Sequence, residues 1–317
     1  MIVALFPSYF SRKVSKSRRG SRIAPLTRAF ATTLLNGRWR MKILLVLLLT
    51  LFVNAQERIV TLSPAINEIV YALGAGSKVV GNTQYCTYPK ASQSVPKVGG
   101  YFSPNLEKIL SLKPSIVIMQ PNNTKLSQKL NTLGIKTKMI PIDRLEHIKK
   151  AIVALGILLD KEANAKKILK NINNALLEIK GIVKNKKILI VIGHNTSLVK
   201  QIFVVGQNLY LDDIINASGN TNALHSKRKG QPILNQENLI ATNPDIVILL
   251  AHSMHKRGLT AYDLKEPWRE LPINAGKTND IYIIDKEYSG IPSDRLVLFL
   301  RDFKEILYAY KHNRLHQ

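Results

Sequence analysis

The sequence has a single cysteine, Cys86, among 317 residues. One thiol excludes an intramolecular disulfide framework, although it is compatible with an oxidising compartment. With no base or cation positioned beside it in the sequence, Cys86 reads as a buried structural thiol rather than a nucleophile. Acids are also scarce, with 21 Asp and Glu against 46 Lys and Arg and a formal net charge of +25. No apolar run approaches the roughly 20 residues that a membrane-spanning helix needs. Three catalytic or nucleotide signatures are missing as well. Gly276-Lys277-Thr278 lacks the glycine of a phosphate loop five residues earlier, where Leu271 stands. Gly74-Ala75-Gly76 has Val79 in place of the third glycine of a dinucleotide fingerprint. No Gly-x-Ser-x-Gly elbow occurs. These absences leave little ground for an enzyme, and none is expected.

What is present begins with an apolar run, Ile43 to Val53, preceded by Met41-Lys42 and followed by Asn54-Ala55. A short basic start, a short apolar stretch and a small-residue exit describe a cleaved secretory signal over residues 41–55. Residues 1–40 hold nine Lys and Arg and no acid. They read as a mis-assigned or unstructured basic extension, with translation starting at Met41. The alternative is a long basic leader. Without residues 1–55 the balance is 36 basic to 21 acidic groups. The remaining cations are spread along the chain, and export argues against a nucleic-acid partner. A basic exported protein leans towards an anionic ligand.

After Ala55, short β-branched runs alternate with helical stretches. Strands are predicted at 58–62, 79–80, 115–119 and 136–140, and helices at 65–73, 104–112 and 126–133. This alternation implies an open parallel sheet flanked by helices. Residues 143–185 break the rhythm. A helix over 144–159 presents Ile148, Ile152, Leu155 and Leu159 on one face. Asp160 is placed to cap a second helix over about 161–184, some 36 Å long at 1.5 Å per residue, with Ile168, Ile172, Leu176 and Ile179 on one side. So long a helix, polar on its other side, suits a connector between lobes. Strands at 187–192, 202–205, 245–250 and 281–284 and helices at 212–217, 237–242 and 293–310 then form a second α/β lobe. The predicted fold is thus α/β, with an N-terminal lobe at 56–142, a helical connector at 143–185 and a C-terminal lobe at 186–317.

An internal duplication supports two lobes. Residues 107–118 and 237–248 both read Glu, any residue, two aliphatics, three residues, Pro, any residue, Ile-Val-Ile, at a fixed offset of 130. Glu107 and Glu237 begin their helices, where a carboxylate also complements the helix dipole.

Ordered motifs extend across the chain: Arg58-Ile59-Val60-Thr61-Leu62-Ser63-Pro64-Ala65, Ala72-Leu73-Gly74-Ala75-Gly76, Val79-Val80-Gly81, Tyr88-Pro89, Lys97-Val98-Gly99-Gly100-Tyr101 and Asn105-Leu106-Glu107. The second lobe adds Gly206, Ala217-Ser218-Gly219 with Asn222, Glu237 and Asn243-Pro244-Asp245. Over residues 57–310 the chain resembles the helical-backbone periplasmic binding proteins for vitamin B12, ferric siderophores and haem. The resemblance implies two open-sheet α/β lobes joined by one long rigid helix, with the ligand cleft between the lobes. It also implies a monomer in the periplasm that carries a corrinoid, haem or ferric siderophore to an ABC-importer permease dimer in the inner membrane. Glu107 and Glu237 would then dock onto permease arginines, one per half of the two-fold partner.

Ligands of open α/β sheets sit beyond the carboxyl ends of strands. Tyr85, Tyr101 and Phe102 fall there in the first lobe, and the resemblance implies an aromatic near Tyr101 packed on the ligand. His194, His225, Arg228, His252, Tyr288 and Arg295 follow strands or precede helices in the second. Imidazole and phenol can reach a metal, and arginine can grip an anionic chelate. His252 and His255 are spaced like a metal pair, but zinc needs about four ligands and the first lobe has no other histidine than His147, on the connector. A bare-metal receptor and a resident cofactor are therefore not expected. A metal-dependent hydrolase using His194, His252 and His255 is the alternative reading.

Overall fold

The first sheet is built from four short parallel strands, the fourth of them polar. They are β1 (Ile59–Thr61), β2 (Val79–Asn82), β3 (Ile116–Met119) and β4 (Lys136–Met139), in the order β2-β1-β3-β4. In this computed structural model residues 57–315 are described, apart from Lys200 and residues 226–230. The predicted signal and basic extension, and Arg228, lie outside the described residues. Between the strands run α1 (Pro64–Ala72), α2 (Lys90–Gln93), α3 (Leu106–Ser111) and α4 (Thr124–Thr132). Pro64 at the first helical position pre-sets α1, and Gly74 at φ +83° takes the left-handed conformation just past its end. β4 is the sheet edge, and Lys136 and Lys138 blunt it with charge.

The connector is a helical hairpin, α5 (Leu145–Leu158) followed by α6 (Glu162–Ile179). Gly156 lets the two helices close up, since a Cβ there would stand 2.6 Å from the Ala165 side chain. Two details correct the sequence reading. Asp160 does not cap α6; it turns the chain at φ +56°, and Lys161 occupies the cap position. Helix α6 also ends at Ile179, five residues early, because Gly181 adopts φ +77° and turns the chain away. Its 18 residues span about 27 Å. That still reaches from lobe to lobe: Asn164 Nδ2 donates to the Leu73 carbonyl of the first, and the Gly181 N–H to the Ser218 carbonyl of the second.

The second lobe contains β5 (Lys187–Ile192), β6 (Ile202–Val204), α7 (Tyr210–Ala217), β7 (Thr221–Asn222), β8 (Ile233–Leu234), α8 (Gln236–Thr242), β9 (Ile246–Leu250), α9 (Ala261–Arg269), α10 (Asn274–Lys277) and β10 (Ile281–Ile284). The strand order is β10-β9-β5-β6-β8, with β7 paired to β5. Strands β9, β10 and β7 run parallel to their neighbours; β6 and β8 run antiparallel. The sheet is therefore mixed rather than purely parallel. No helix separates β5 from β6, so the chain returns directly and must pair in the opposite sense. Helix α11 (Leu296–Leu315) closes the chain and packs on α6.

The duplication is structural as well as textual. Asn105 caps α3 by accepting from the Lys108 N–H at 2.8 Å, and Asn235 caps α8 from the Asn238 N–H at 2.9 Å. Both helices end on a left-handed residue before proline, Lys113 at φ +45° and Asn243 at φ +39°.

One hydrophobic core runs through both lobes. It joins Ile59, Ile66 and Ile69 of the first lobe to Ile152 and Ile172 of the connector and to Ile188, Ile246 and Phe299 beyond. A buried ion pair reinforces this continuity. Arg295, just before α11, forks onto Glu68 of α1, with Nε 2.9 Å from Oε2 and Nη2 on Oε1. Ser293 Oγ donates to the same carboxylate at 2.6 Å. The Arg295 guanidinium lies 3.9 Å over the Tyr88 ring. Burial pushes the Glu68 carboxyl above its usual range, and the Arg295 and Ser293 bonds pull against it.

Two outcomes follow from this clamp. Glu68→Ala strands a buried guanidinium and should lower unfolding free energy by about 3–5 kcal/mol, read from the urea midpoint. A loss below about 1 kcal/mol, the range of exposed pairs, would contradict the clamp. Neighbouring Asp294 has a buried Oδ1 with no hydrogen-bond partner, and burial, then the Glu68 charge, pushes its acid up to about 6. The folded protein thus keeps a proton that the unfolded chain has already released, so this group's contribution to stability falls as pH rises from about 4 to about 6. Asp294→Asn should make that fall shallower and raise stability at neutral pH by up to about 3 kcal/mol. An unchanged slope in urea titrations across this window would refute the assignment.

Candidate ligand-binding cleft

The carboxyl ends of strands from both sheets face one another across a cavity of about 760 Å³. Ser63 and Pro64 after β1, Gln84 and Tyr85 after β2 and Gln120 after β3 form the first-lobe wall. Ile192 at the end of β5, Leu250 and His252 at and after β9, and Glu287 with residues 289–292 after β10 form the other. Ile142 and Asp143 line it at the start of the connector, and Val205 and Leu209–Leu211 add apolar surface. The volume lies within the range typical of small-molecule sites.

Two first-lobe loops carry the aromatic side chains. The loop after β2 rests on a buried polar network. Asn67 Nδ2 donates to Ser92 Oγ at 2.9 Å, and Asn67 Oδ1 accepts from Thr61 Oγ1 at 2.9 Å. Lys97 Nζ donates to Asn82 Oδ1 at 2.7 Å and to the Ser92 and Cys86 carbonyls. Cys86 is buried within this loop, and burial pushes its thiol up, away from the reactive thiolate. The next loop folds back tightly: the Asn105 N–H donates to the Val98 carbonyl at 2.7 Å, and Gly99 sits at φ +111°, where a Cβ would meet the Ser103 carbonyl oxygen at 2.7 Å. The turn carries Tyr101 and Phe102, edge to face with centroids 4.6 Å apart. Tyr101 is half-buried and its phenol is held above the usual range by burial. Phe102 is 85% exposed at the cavity wall, an unusual place for an aromatic side chain unless something covers it.

The structure gathers Tyr85, Tyr101, Phe102 and His252 on the cavity wall. His194 stands behind His252, its Nε2–H donating to the His252 carbonyl at 2.7 Å. His225 is exposed and lies near Gln207, outside the wall. Two residues expected at the ligand are engaged elsewhere. Arg295 is buried in its pair with Glu68, and the Tyr288 hydroxyl donates to Asp302 at 2.8 Å. His255 reaches Asp285 rather than His252. Among the described residues no group of three His, Cys, Asp or Glu side chains converges as metal ligands would. The histidine-based hydrolase therefore finds no support in the geometry. The leaning towards an anionic ligand also meets a different wall, for its charged members among the described residues are Asp143 and Glu287.

Glu107 and Glu237 sit away from the cavity, each exposed on the second residue of its helix and without a salt-bridge partner among the described residues. Sequence reasoning missed Glu68, Asp143 and Glu287. Of these only Glu68 carried a signal, a lone acid among the apolar residues of α1.

Residues 59–288 match the family described as periplasmic binding protein, and the chain belongs to it. It is 28% identical over 261 residues to an uncharacterised ABC transporter substrate-binding lipoprotein of Bacillus subtilis, covering 80% of each chain. It is 26% identical over 269 residues to a vitamin B12-binding protein of Vibrio parahaemolyticus, covering 84% of this chain and 94% of that one. A high-affinity heme uptake system protein of Staphylococcus aureus is 26% identical over 226 residues, 68% of this chain and 75% of the relative. In fold, the periplasmic vitamin B12 binding protein of Vibrio cholerae superposes with a TM-score of 0.69 at 19% identity, over 80% of this chain and 98% of that one.

Proposed function

We propose that this chain is the substrate-binding protein of an ABC importer, working in the periplasm, and that it holds a metal chelate between its lobes. The observation that carries the reading is the preformed cavity of about 760 Å³ at facing strand ends, edged by Tyr85, Tyr101 and Phe102. Aromatic faces suit a flat macrocycle, because stacking supplies contact area with little side-chain entropy to lose. Relatives named for vitamin B12 and haem favour a corrinoid or haem over a ferric siderophore. Relatives named as ABC transporter substrate-binding proteins support a permease as the partner for the membrane step, and among the described residues no helix is long and apolar enough to cross a membrane. Glu107 and Glu237 are the docking points: equivalent, exposed and without a salt-bridge partner among the described residues, they would meet permease arginines in charge-assisted bonds. Binding and handover are the whole task in this reading, with no covalent step.

The test separates capture from delivery. In cells lacking the native protein, the Glu107→Gln, Glu237→Gln double variant should take up much less chelate than either single variant, since both lobes engage the partner together. Titration of the purified double variant with cyanocobalamin and haemin should match the unmodified protein. Tyr101→Ala should show the reverse pattern, losing about tenfold in affinity, or about 1.4 kcal/mol, while still folding. Normal uptake by the double variant would remove the docking role, and failure of the unmodified protein to bind either chelate would remove the ligand class.

A further inference from the structure

Three of the aromatic side chains on the cavity wall come from two loops, and one cation ties those loops together. Tyr85 lies on the loop between β2 and α2, and Tyr101 and Phe102 lie on the next, between α2 and α3. Lys97 stands at the foot of the second loop. Its ammonium donates to Asn82 Oδ1 at 2.7 Å, to the Ser92 carbonyl at 3.0 Å and to the Cys86 carbonyl at 3.3 Å. An ammonium has three protons to donate, and these oxygens match them. The Cys86 carbonyl sits between the lining residues Tyr85 and Thr87.

The backbone knits the same two loops. The Asn82 N–H donates to the Pro96 carbonyl at 3.0 Å, the Val98 N–H to the Asn82 carbonyl at 2.8 Å and the Gln84 N–H to the Gly99 carbonyl at 3.0 Å. The loops also meet at the wall, where a Cβ on Gly100 would stand 3.9 Å from the Tyr85 ring.

A lysine is usually found in water or against a carboxylate. Lys97 is partly buried and bonds neutral oxygens, two of them on the fully buried Asn82 and Ser92. Burial pushes its ammonium below the usual lysine range. Charge-assisted bonds offset the hydration lost there, and they draw three stretches of chain to one point. Lys97 is not among the lining residues, so it acts on a ligand only through the loops. We infer that Lys97 is a positioning residue of the cleft: it fixes the spacing of Tyr85 from Tyr101 and Phe102 and thereby sets how long a bound ligand stays. This rests on the chelate reading above and adds to it a residue that does not touch the ligand. Aromatic side chains held in place beforehand cost less to order on binding, and the gain falls mainly on dissociation.

The test removes the ammonium and keeps an unbranched stem, Lys97→Met, with cyanocobalamin and haemin as probes in stopped-flow absorbance. For whichever probe binds, dissociation should become about tenfold faster and association should change by no more than about twofold. In a Tyr101→Ala background the same substitution should speed dissociation by less than about threefold, because residues that act as one unit do not add. A general loosening of the lobe would give equal factors in the two backgrounds. Fluorine NMR of fluorotyrosine-labelled protein supplies a readout without ligand. The Tyr101 resonance should move towards that of the free amino acid in Lys97→Met, while that of Tyr310, buried in the core, stays in place. Lys97→Gln, which keeps a neutral donor, should show the same changes at smaller size. An unchanged dissociation rate, equal factors in the two backgrounds or a fixed Tyr101 resonance would overturn the inference. Failure of both Lys97 variants to fold would overturn it too, since Lys97 would then be a determinant of folding. If neither chelate binds the unmodified protein, the chelate reading fails, and the fluorine spectra alone decide whether Lys97 orders the loops.

Discussion

The Glu68–Arg295 pair decides how the two lobes can stand relative to each other. It joins residues 227 positions apart, and both side chains are nearly sealed from water. A charge at either site would be very costly alone; together, with Ser293, they satisfy one another only at one separation of α1 and the start of α11. Around them a single apolar core passes from one sheet through the α5–α6 hairpin to the other. Opening the cleft widely would break that core and strand two buried ions. The cavity is therefore a standing feature of the fold, and its shape is set before any ligand arrives.

That constraint organises the site. The Tyr88 ring lies against Arg295 on the same loop that presents Tyr85 and Thr87 to the cavity. From the other lobe, Ser293 follows directly on the lining residues 287 and 289–292. The clamp thus fixes a loop from each wall. The wall draws on every part of the fold: Tyr101 and Phe102 come from the first lobe, Asp143 from the connector and Glu287 from the second lobe. Glu107 and Glu237 lie outside the cavity wall, so docking through them, as proposed, would leave the cavity free for its ligand.

Much of this was legible in the sequence. The repeated Glu, Pro and Ile-Val-Ile pattern exposed the duplication, and structure adds that Asn105 and Asn235 cap the equivalent helices. Long periodic segments such as α5 and β5 gave themselves away. Strands of two residues, β7 and β8, have no period to detect, and α9 was hidden by Pro267, although the Thr260–Asp263 capping box marks its start. The end of α6 was misjudged although Gly181 signalled it. Site residues were harder. Tyr101 and Arg295 both lie in stretches that precede a helix, yet one lines the cavity and the other is buried against Glu68, because which side of a loop faces the cleft depends on the opposite lobe. No local pattern encodes a partner 227 residues away.

A lobe separation fixed in advance is the central claim, and small-angle scattering tests it most directly. Profiles of the purified protein would be recorded with and without the chelate that binds most tightly. The clamp and the continuous core predict that the two profiles superpose, with an unchanged radius of gyration. A marked compaction on binding, as in a hinge that closes around its ligand, would contradict the account.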